Sequence, residues 1–195
     1  MKTPFIVGER VYLTGIEKAD LPSLVDWMND SEMTHYLFMG DRPAHLELLI
    51  EQWEREIKDP GEIVFAIIEK EKDEMIGWGG LYSINWISRS AEYRVFIGNK
   101  SCRNKGIGTE VAKVIIKYGF EKLNLNKVLL GVNTSHKGAV RSYEKAGFVK
   151  EGILRQEIYR NSKYYDVVRM GILREEYYKE HKQEGSQDTP DVFEN

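Results

Sequence analysis

The stretch that most limits what this chain can become lies in its middle. Residues 91–97 have strand character. They run into a loop, 98–105, which leads through Gly106-Ile107-Gly108 into a segment from Thr109 to about Leu123. In that segment Val111, Val114, Ile115 and Tyr118 recur at helical spacing and give one apolar face. The first turn of a helix has backbone N–H groups without intrahelical partners, and the helix dipole favours an anion there. Glycines without a Cβ let an anion approach the chain closely. Arg103 and Lys105 add positive charge. The main-chain amides from Arg103 through Asn104, Lys105, Gly106, Ile107 and Gly108 to Thr109 are therefore a candidate cradle for a phosphorylated ligand.

The loop alone admits other readings. A Gly-x-Gly at a helix start also serves as a plain tight turn. A dinucleotide fold needs three glycines in an early βαβ unit and an acidic ribose partner; here the motif lies mid-chain, after a hairpin. A nucleotide-triphosphate loop needs Gly-Lys followed by Ser or Thr, which this sequence lacks.

Around this motif the hydrophobic pattern predicts a strand over 10–16, a helix over 20–28 and a second helix over 43–58. Strands follow over 63–68 and 75–82, joined by a charged turn as a hairpin. After the central helix come a short buried strand (127–132), a short helix (139–146) closed by Gly147, and two strands (148–159 and 164–173) around Asn161-Ser162. A terminal helix is expected over 175–181. The polar tail 182–195 is expected to be disordered. Hairpins mixed with crossovers imply an α+β fold, a mixed central sheet flanked by helices, not a doubly wound parallel one.

Composition narrows the function. A chain of 195 residues, 42% hydrophobic, suits one domain, placed at 8–181. A formal net charge of −3 supplies no field for nucleic acid. One cysteine, Cys102, excludes an internal disulfide and a cysteine-rich zinc site. No histidine spacing suggests a metal, and none is expected. Without a signal-like or membrane-length apolar run, the expectation is a cytoplasmic protein with no membrane partner.

Arg-x-x-Gly-x-Gly between a strand and a helix resembles the acetyl-CoA signature of the GNAT acetyltransferases. The likeness continues through residues 127–132, the run Gly138-Ala139-Val140-Arg141-Ser142-Tyr143-Glu144-Lys145-Ala146-Gly147-Phe148, Glu151-Gly152-Ile153-Leu154-Arg155 and 164–173. It covers about 11–178 and is strongest to the RimJ/RimL-type branch, which includes spermidine acetyltransferases. The resemblance implies the GNAT fold, acetyl-CoA as cofactor and direct transfer of acetyl to a primary amine.

It also implies roles. Tyr143 matches the tyrosine that protonates the departing thiolate. Glu92 matches the glutamate that accepts the amine proton or orders a base water. Phe96 and Ile97 match backbone that pairs with the pantetheine amides. His136 stands where relatives carry a cofactor-contacting asparagine, and Asn133 lies close enough to substitute. Cys102 reads as a loop residue, since the family transfers directly.

For the acceptor, Asp30, Glu32 and Asp41 offer negative charge, and Tyr36, Phe38, Trp78, Tyr82 and Trp86 offer aromatic walls. The candidates are small amines: polyamines, amino sugars including aminoglycosides, or amino acids. A protein N-terminal acetyltransferase of the ribosomal type and a non-catalytic acyl-CoA-binding module are the alternatives. The branch implies a homodimer or larger homo-oligomer.

Overall fold

The computed structural model describes residues 2–103 and 105–185. Eight strands form one sheet in the order β1-β2-β3-β4-β5-β6-β8-β7. They are β1 (Ile6–Val7), β2 (Val11–Gly15), β3 (Ile63–Glu69), β4 (Glu74–Asn85), β5 (Ser90–Ile97), β6 (Lys127–Asn133), β7 (Val149–Arg160) and β8 (Lys163–Leu173). All neighbours are antiparallel except β5 and β6. The helices are α1 (Leu21–Asn29), α2 (Ser31–Thr34), α3 (Leu46–Glu56), α4 (Ile107–Glu121), α5 (Lys137–Lys145) and α6 (Arg174–Gly185). No described helix is long and apolar enough to cross a membrane.

The main core lies between α4 and one face of the sheet. Val111, Ile115, Ile116 and Phe120 of α4 meet Leu13, Ile67, Ile76, Leu81, Val128, Leu130 and Met170, all buried. Burying each such side chain contributes about 2 kcal/mol. Gly119 permits the close approach: a Cβ there would lie 3.2 Å from Leu125 and 3.3 Å from Leu81. α6 closes the end of this layer, with Tyr177 against Phe120 at 5.2 Å between ring centres. On the opposite face Trp27 of α1 stacks over Trp78, and Trp78 packs on Phe96.

Several elements differ in extent from the sequence pattern. The second helix starts at Leu46, not at Pro43, because the chain is still extended at His45. Asn29-Asp30-Ser31 does break the first helix, and Asp30 then caps the short α2 by accepting from the amides of Glu32 (2.9 Å) and Met33 (3.3 Å). β4 runs on to Asn85 through a register shift after Tyr82, with Ser83 at φ 50°. The terminal helix continues to Gly185, past the expected end at His181. Residues 182–185, expected to belong to a disordered tail, are thus helical; the rest of that expected tail, 186–195, lies outside the described residues.

The feature that positions the site is a parting of two strands. β5 and β6 pair only at Ser90↔Lys127, Ala91↔Val128 and Glu92↔Leu129. β5 nevertheless stays paired with β4 as far as Ile97, and β6 with β8 as far as Asn133. Each strand is held straight by its outer neighbour while the facing edges separate. Backbone groups of residues 93–97 and 130–133 that point into this opening have no strand partner there.

Candidate active site

The loop after β5 contains a single 3-10 turn, Lys100–Cys102, capped by Asn99, whose side chain accepts from the Ser101 amide. α4 begins at Ile107, two residues earlier than its apolar stripe suggests. Ile107 and Gly108 therefore belong to the first helical turn, and Gly106 is the N-cap. Gly106 sits at φ +77°, ψ 2°, the left-handed region that glycine enters without steric cost. A Cβ on Gly108 would meet nothing closer than Ser142 Oγ at 3.6 Å, so the approach to these amides is open. The geometry fits the expected pyrophosphate: exposed Arg103 and Lys105, a left-handed glycine, and free first-turn amides beside the strand opening. Asn104, also expected in the cradle, lies outside the described residues.

Thr109 adds a link that sequence did not suggest. Its hydroxyl lies 2.8 Å from Ser142 Oγ, tying the first turn of α4 to α5 one residue before Tyr143. Tyr143 is half-buried, edge-on to Tyr93 and Phe148 with ring centres 6.1 and 6.0 Å away. Burial pushes its phenol up to about 12. The carbonyl of Tyr143 accepts from the amides of Ala146 and Phe148, both at 3.0 Å, so the turn through Gly147 (φ +95°) locks the end of the helix.

Successive strand residues point to opposite faces. Tyr93 packs with Tyr143 on the α4 face, so Glu92 projects from the other. The two candidate catalytic residues thus flank the strand opening from opposite sides, at the pair where β5 and β6 part. Glu92 accepts a 2.7 Å hydrogen bond from Arg94 Nη2, and Arg94 in turn lies over the Tyr82 ring at 4.8 Å. Phe96 and Ile97 border the opening; their other flank is paired with Trp78 and Gly77.

His136 is the N-cap of α5. Its Nδ1 accepts from the Ala139 amide at 3.3 Å, which leaves the proton on Nε2. The ring packs on Tyr36 with centres 4.4 Å apart. Burial, and then the positive charge of Arg103, hold its pKa below the usual value. It is neither an exposed loop residue nor a free cation. Asn133 is buried, and its side-chain Oδ1 accepts from the amide (2.9 Å) and hydroxyl (2.6 Å) of Ser135, so it serves the turn before α5.

The acidic residues of the first helical hairpin are committed to partners. Lys100 binds Asp30 at 3.2 Å and Glu32 at 2.8 Å, and Arg103 reaches Glu32 at 3.3 Å. Both carboxylates are thereby held below their usual pKa, chiefly by Lys100. They join the α2 segment to the loop before α4 rather than standing free for a cation. Asp41 lies 3.7 Å from Arg42. Of the aromatic residues, Trp78 joins the Trp27–Phe96 stack and Tyr36 covers His136, whereas Trp86 donates to the Pro60 carbonyl at the far hairpin end. Phe38 is exposed, with its ring edge near Gly131 on β6. Arg160, at the end of β7, donates to the carbonyls of Leu37 (3.0 Å) and Met39 (2.6 Å) and fixes that segment from below. No sequence signal marked Arg160 or Ser142. Cys102 is buried, donates to Glu69 Oε1 at 3.5 Å, and burial pushes its thiol up. That environment suits a packed loop residue and not a nucleophile.

The chain is similar to known acetyltransferases over most of its length. Residues 10–149 match the family model described as an acetyltransferase (GNAT) domain. The chain is 34% identical over 176 residues to spermidine N(1)-acetyltransferase of Escherichia coli strain K12, covering 90% of this chain and 92% of that protein. The solved structure of spermidine N-acetyltransferase from Vibrio cholerae in complex with CoA and spermine superposes with a TM-score of 0.80 at 32% identity, covering 87% of this chain and 98% of that one. A dodecameric structure of the Vibrio cholerae enzyme in an intermediate state gives a TM-score of 0.76 at 31% identity, covering 88% and 98%.

Proposed function

The chain belongs to the GNAT acetyltransferase family and is an acetyl-CoA-dependent N-acetyltransferase of small-molecule amines, and we propose that its acceptor is a polyamine. The observation that carries the chemistry is the pair Glu92 and Tyr143, set on opposite faces of the sheet where β5 and β6 separate. The cofactor supplies an activated acetyl thioester. Amides of 103–109 bind its pyrophosphate, and the open edges of β5 and β6 receive its amide-bearing arm as a strand would be received. His136, through Nε2, and the backbone of Phe96 and Ile97 border the same arm.

Glu92, directly or through a water, takes the proton from the cationic amine, so that a neutral nitrogen attacks the thioester carbonyl. The carbon–nitrogen bond forms and the carbon–sulfur bond breaks. Tyr143 gives its phenolic proton to the departing sulfur; a phenol held at about 12 stays protonated until that sulfur draws the proton. The products are an N-acetylamine and the free thiol. Cys102 has no part in this route.

The polyamine assignment rests on relatives named for spermidine, and on Glu92, a carboxylate on the sheet face opposite Tyr143 that a bound ammonium would share with Arg94. Its test is thiol release from acetyl-CoA with a panel of spermidine, spermine, aminoglycosides, amino acids and N-terminal peptides. Turnover confined to peptides or amino sugars would sink it. A homo-oligomer belongs to the same proposal. The outer strand β7 exposes Val149, Ile153 and Tyr159 along an edge with no further strand, and one relative is dodecameric. Sedimentation of the purified chain as a monomer would remove that part.

A further inference from the structure

We propose that Arg10 is a positioning residue that sets the peptide plane of the pyrophosphate cradle and shields it from Glu110. The inference rests on the reading that the 103–109 amides bind pyrophosphate.

Arg10 directly precedes β2, 95 residues before the carbonyl it touches. Its Nη1 donates to the carbonyl oxygen of Lys105. In a trans peptide the carbonyl of one residue and the N–H of the next point in opposite directions. Pinning the Lys105 carbonyl toward Arg10 therefore turns the Gly106 N–H away from Arg10, to the side where an anion is received. No local rule of the loop fixes this plane, because a left-handed glycine follows it and glycine has the freest backbone.

The second half of the device is electrostatic. Glu110 lies in the first turn of α4, where a carboxylate stabilises the helix but competes with a bound anion for the same positive end. Its carboxylate is drawn off to the foot of β2. Oε2 meets Arg10 Nε at 2.8 Å, and Oε1 accepts from the amides of Arg10 (2.8 Å) and Val11 (3.2 Å). The Glu110 side chain is only 11% exposed, so its charge is weakly screened by solvent and depends on Arg10 for compensation.

Two glycines make room. A Cβ on Gly8 would sit 2.7 Å from Glu110 Oε1, and one on Gly106 would sit 3.3 Å from Arg10 Nη2. The forked guanidinium is what allows one side chain to serve both the carbonyl and the carboxylate; a lysine has a single point of charge.

The test compares two thioesters, acetyl-CoA and S-acetylpantetheine, which lacks the pyrophosphate and nucleotide. Thiol release with one active amine gives kcat/KM for each. The wild type should prefer acetyl-CoA. Arg10→Ala should cost acetyl-CoA about tenfold, the scale of one charge-assisted hydrogen bond, and cost S-acetylpantetheine less than about twofold. Arg10→Lys should fall between. Adding Glu110→Gln to Arg10→Ala should recover part of the acetyl-CoA loss, because the uncompensated charge is gone. Equal losses on both thioesters would overturn the inference, since a brace that only stabilises the fold cannot tell them apart. No recovery in the double variant would overturn the shielding half. A wild type indifferent to the missing pyrophosphate would overturn the cradle reading itself, a different failure from the other two.

Discussion

On one side of the cleft the loop and first turn of α4 are shaped by rules that act over a few residues: a left-handed glycine, unpaired helix-start amides, and an Asn99 cap on the preceding turn. On the other side, the α2–α3 segment adds side chains from distant strands and loops to its local bonds, in which Asp30 caps α2 and Asn29 pairs with the backbone of Ala44. Lys100 and Arg103 grip Asp30 and Glu32, Arg160 grips Leu37 and Met39, and Tyr36 leans on His136. The backbone shape of the loop proposed for the cofactor is written largely into the local chain, with Arg10 as a remote brace on the Lys105 carbonyl. The segment proposed for the acceptor takes more of its shape from remote contacts. The contrast teaches that the first region can be read from neighbours along the chain, whereas the second depends on the rest of the fold.

That contrast can be broken or sharpened by substitution. The largest effect is expected at Tyr143, proposed as the acid that protonates the departing thiolate. Tyr143→Phe should lower kcat about a hundredfold while leaving the dissociation constant of acetyl-CoA, measured by calorimetry, within about twofold. Gly106→Val comes next. A branched residue at φ +77° is strained, so coenzyme A affinity should fall by more than about tenfold, with the acceptor KM little changed. Loss of acceptor binding in equal measure would erase the separation of the two sides.

Glu92→Gln should cost about tenfold in kcat/KM near neutral pH, with coenzyme A affinity retained. An unchanged kcat/KM would clear Glu92 of the proton transfer. Arg160→Ala frees the Leu37–Met39 carbonyls; it should raise the acceptor KM by about fivefold and hasten proteolysis near residues 37–41, with coenzyme A affinity retained.

The smallest effect concerns His136. Its folded pKa is depressed, so between pH 7 and 5 the unfolded chain binds more protons than the native one. Unfolding free energy therefore rises with pH in this window: the contribution is present above the ordinary histidine value and fades as pH falls through it. His136→Asn keeps a capping oxygen and should flatten that dependence, read by denaturant midpoints at the two pH values.

How far the sequence could be read follows the same division. Residues 106–121 declared their glycine turn and apolar stripe, and 137–148 declared a helix ended by Gly147, because both depend on nearest neighbours along the chain. The sheet was legible as mixed because hairpins and crossovers alternate. The opening between β5 and β6 was not, since it arises from how four strands share their pairing and leaves no mark in either strand's pattern. Asp30 and Glu32 looked like free acidic residues for a cationic ligand; only the fold shows Lys100 brought against them. His136 was legible only as a candidate cofactor contact; its capping of α5 was not, because histidine is not among the common N-cap types. Arg10 and Arg160 carried no signal at all: their partners are main-chain carbonyls 95 and more than 120 residues away.

The parted strands have a thermodynamic consequence. A sheet that is complete only when a linear, amide-bearing molecule lies in its gap has its folding equilibrium linked to that molecule's concentration. By mass action, a ligand at a hundred times its dissociation constant adds about 2.7 kcal/mol to the native state. If coenzyme A lies in this gap as proposed, the melting temperature of the chain rises with the concentration of that ligand.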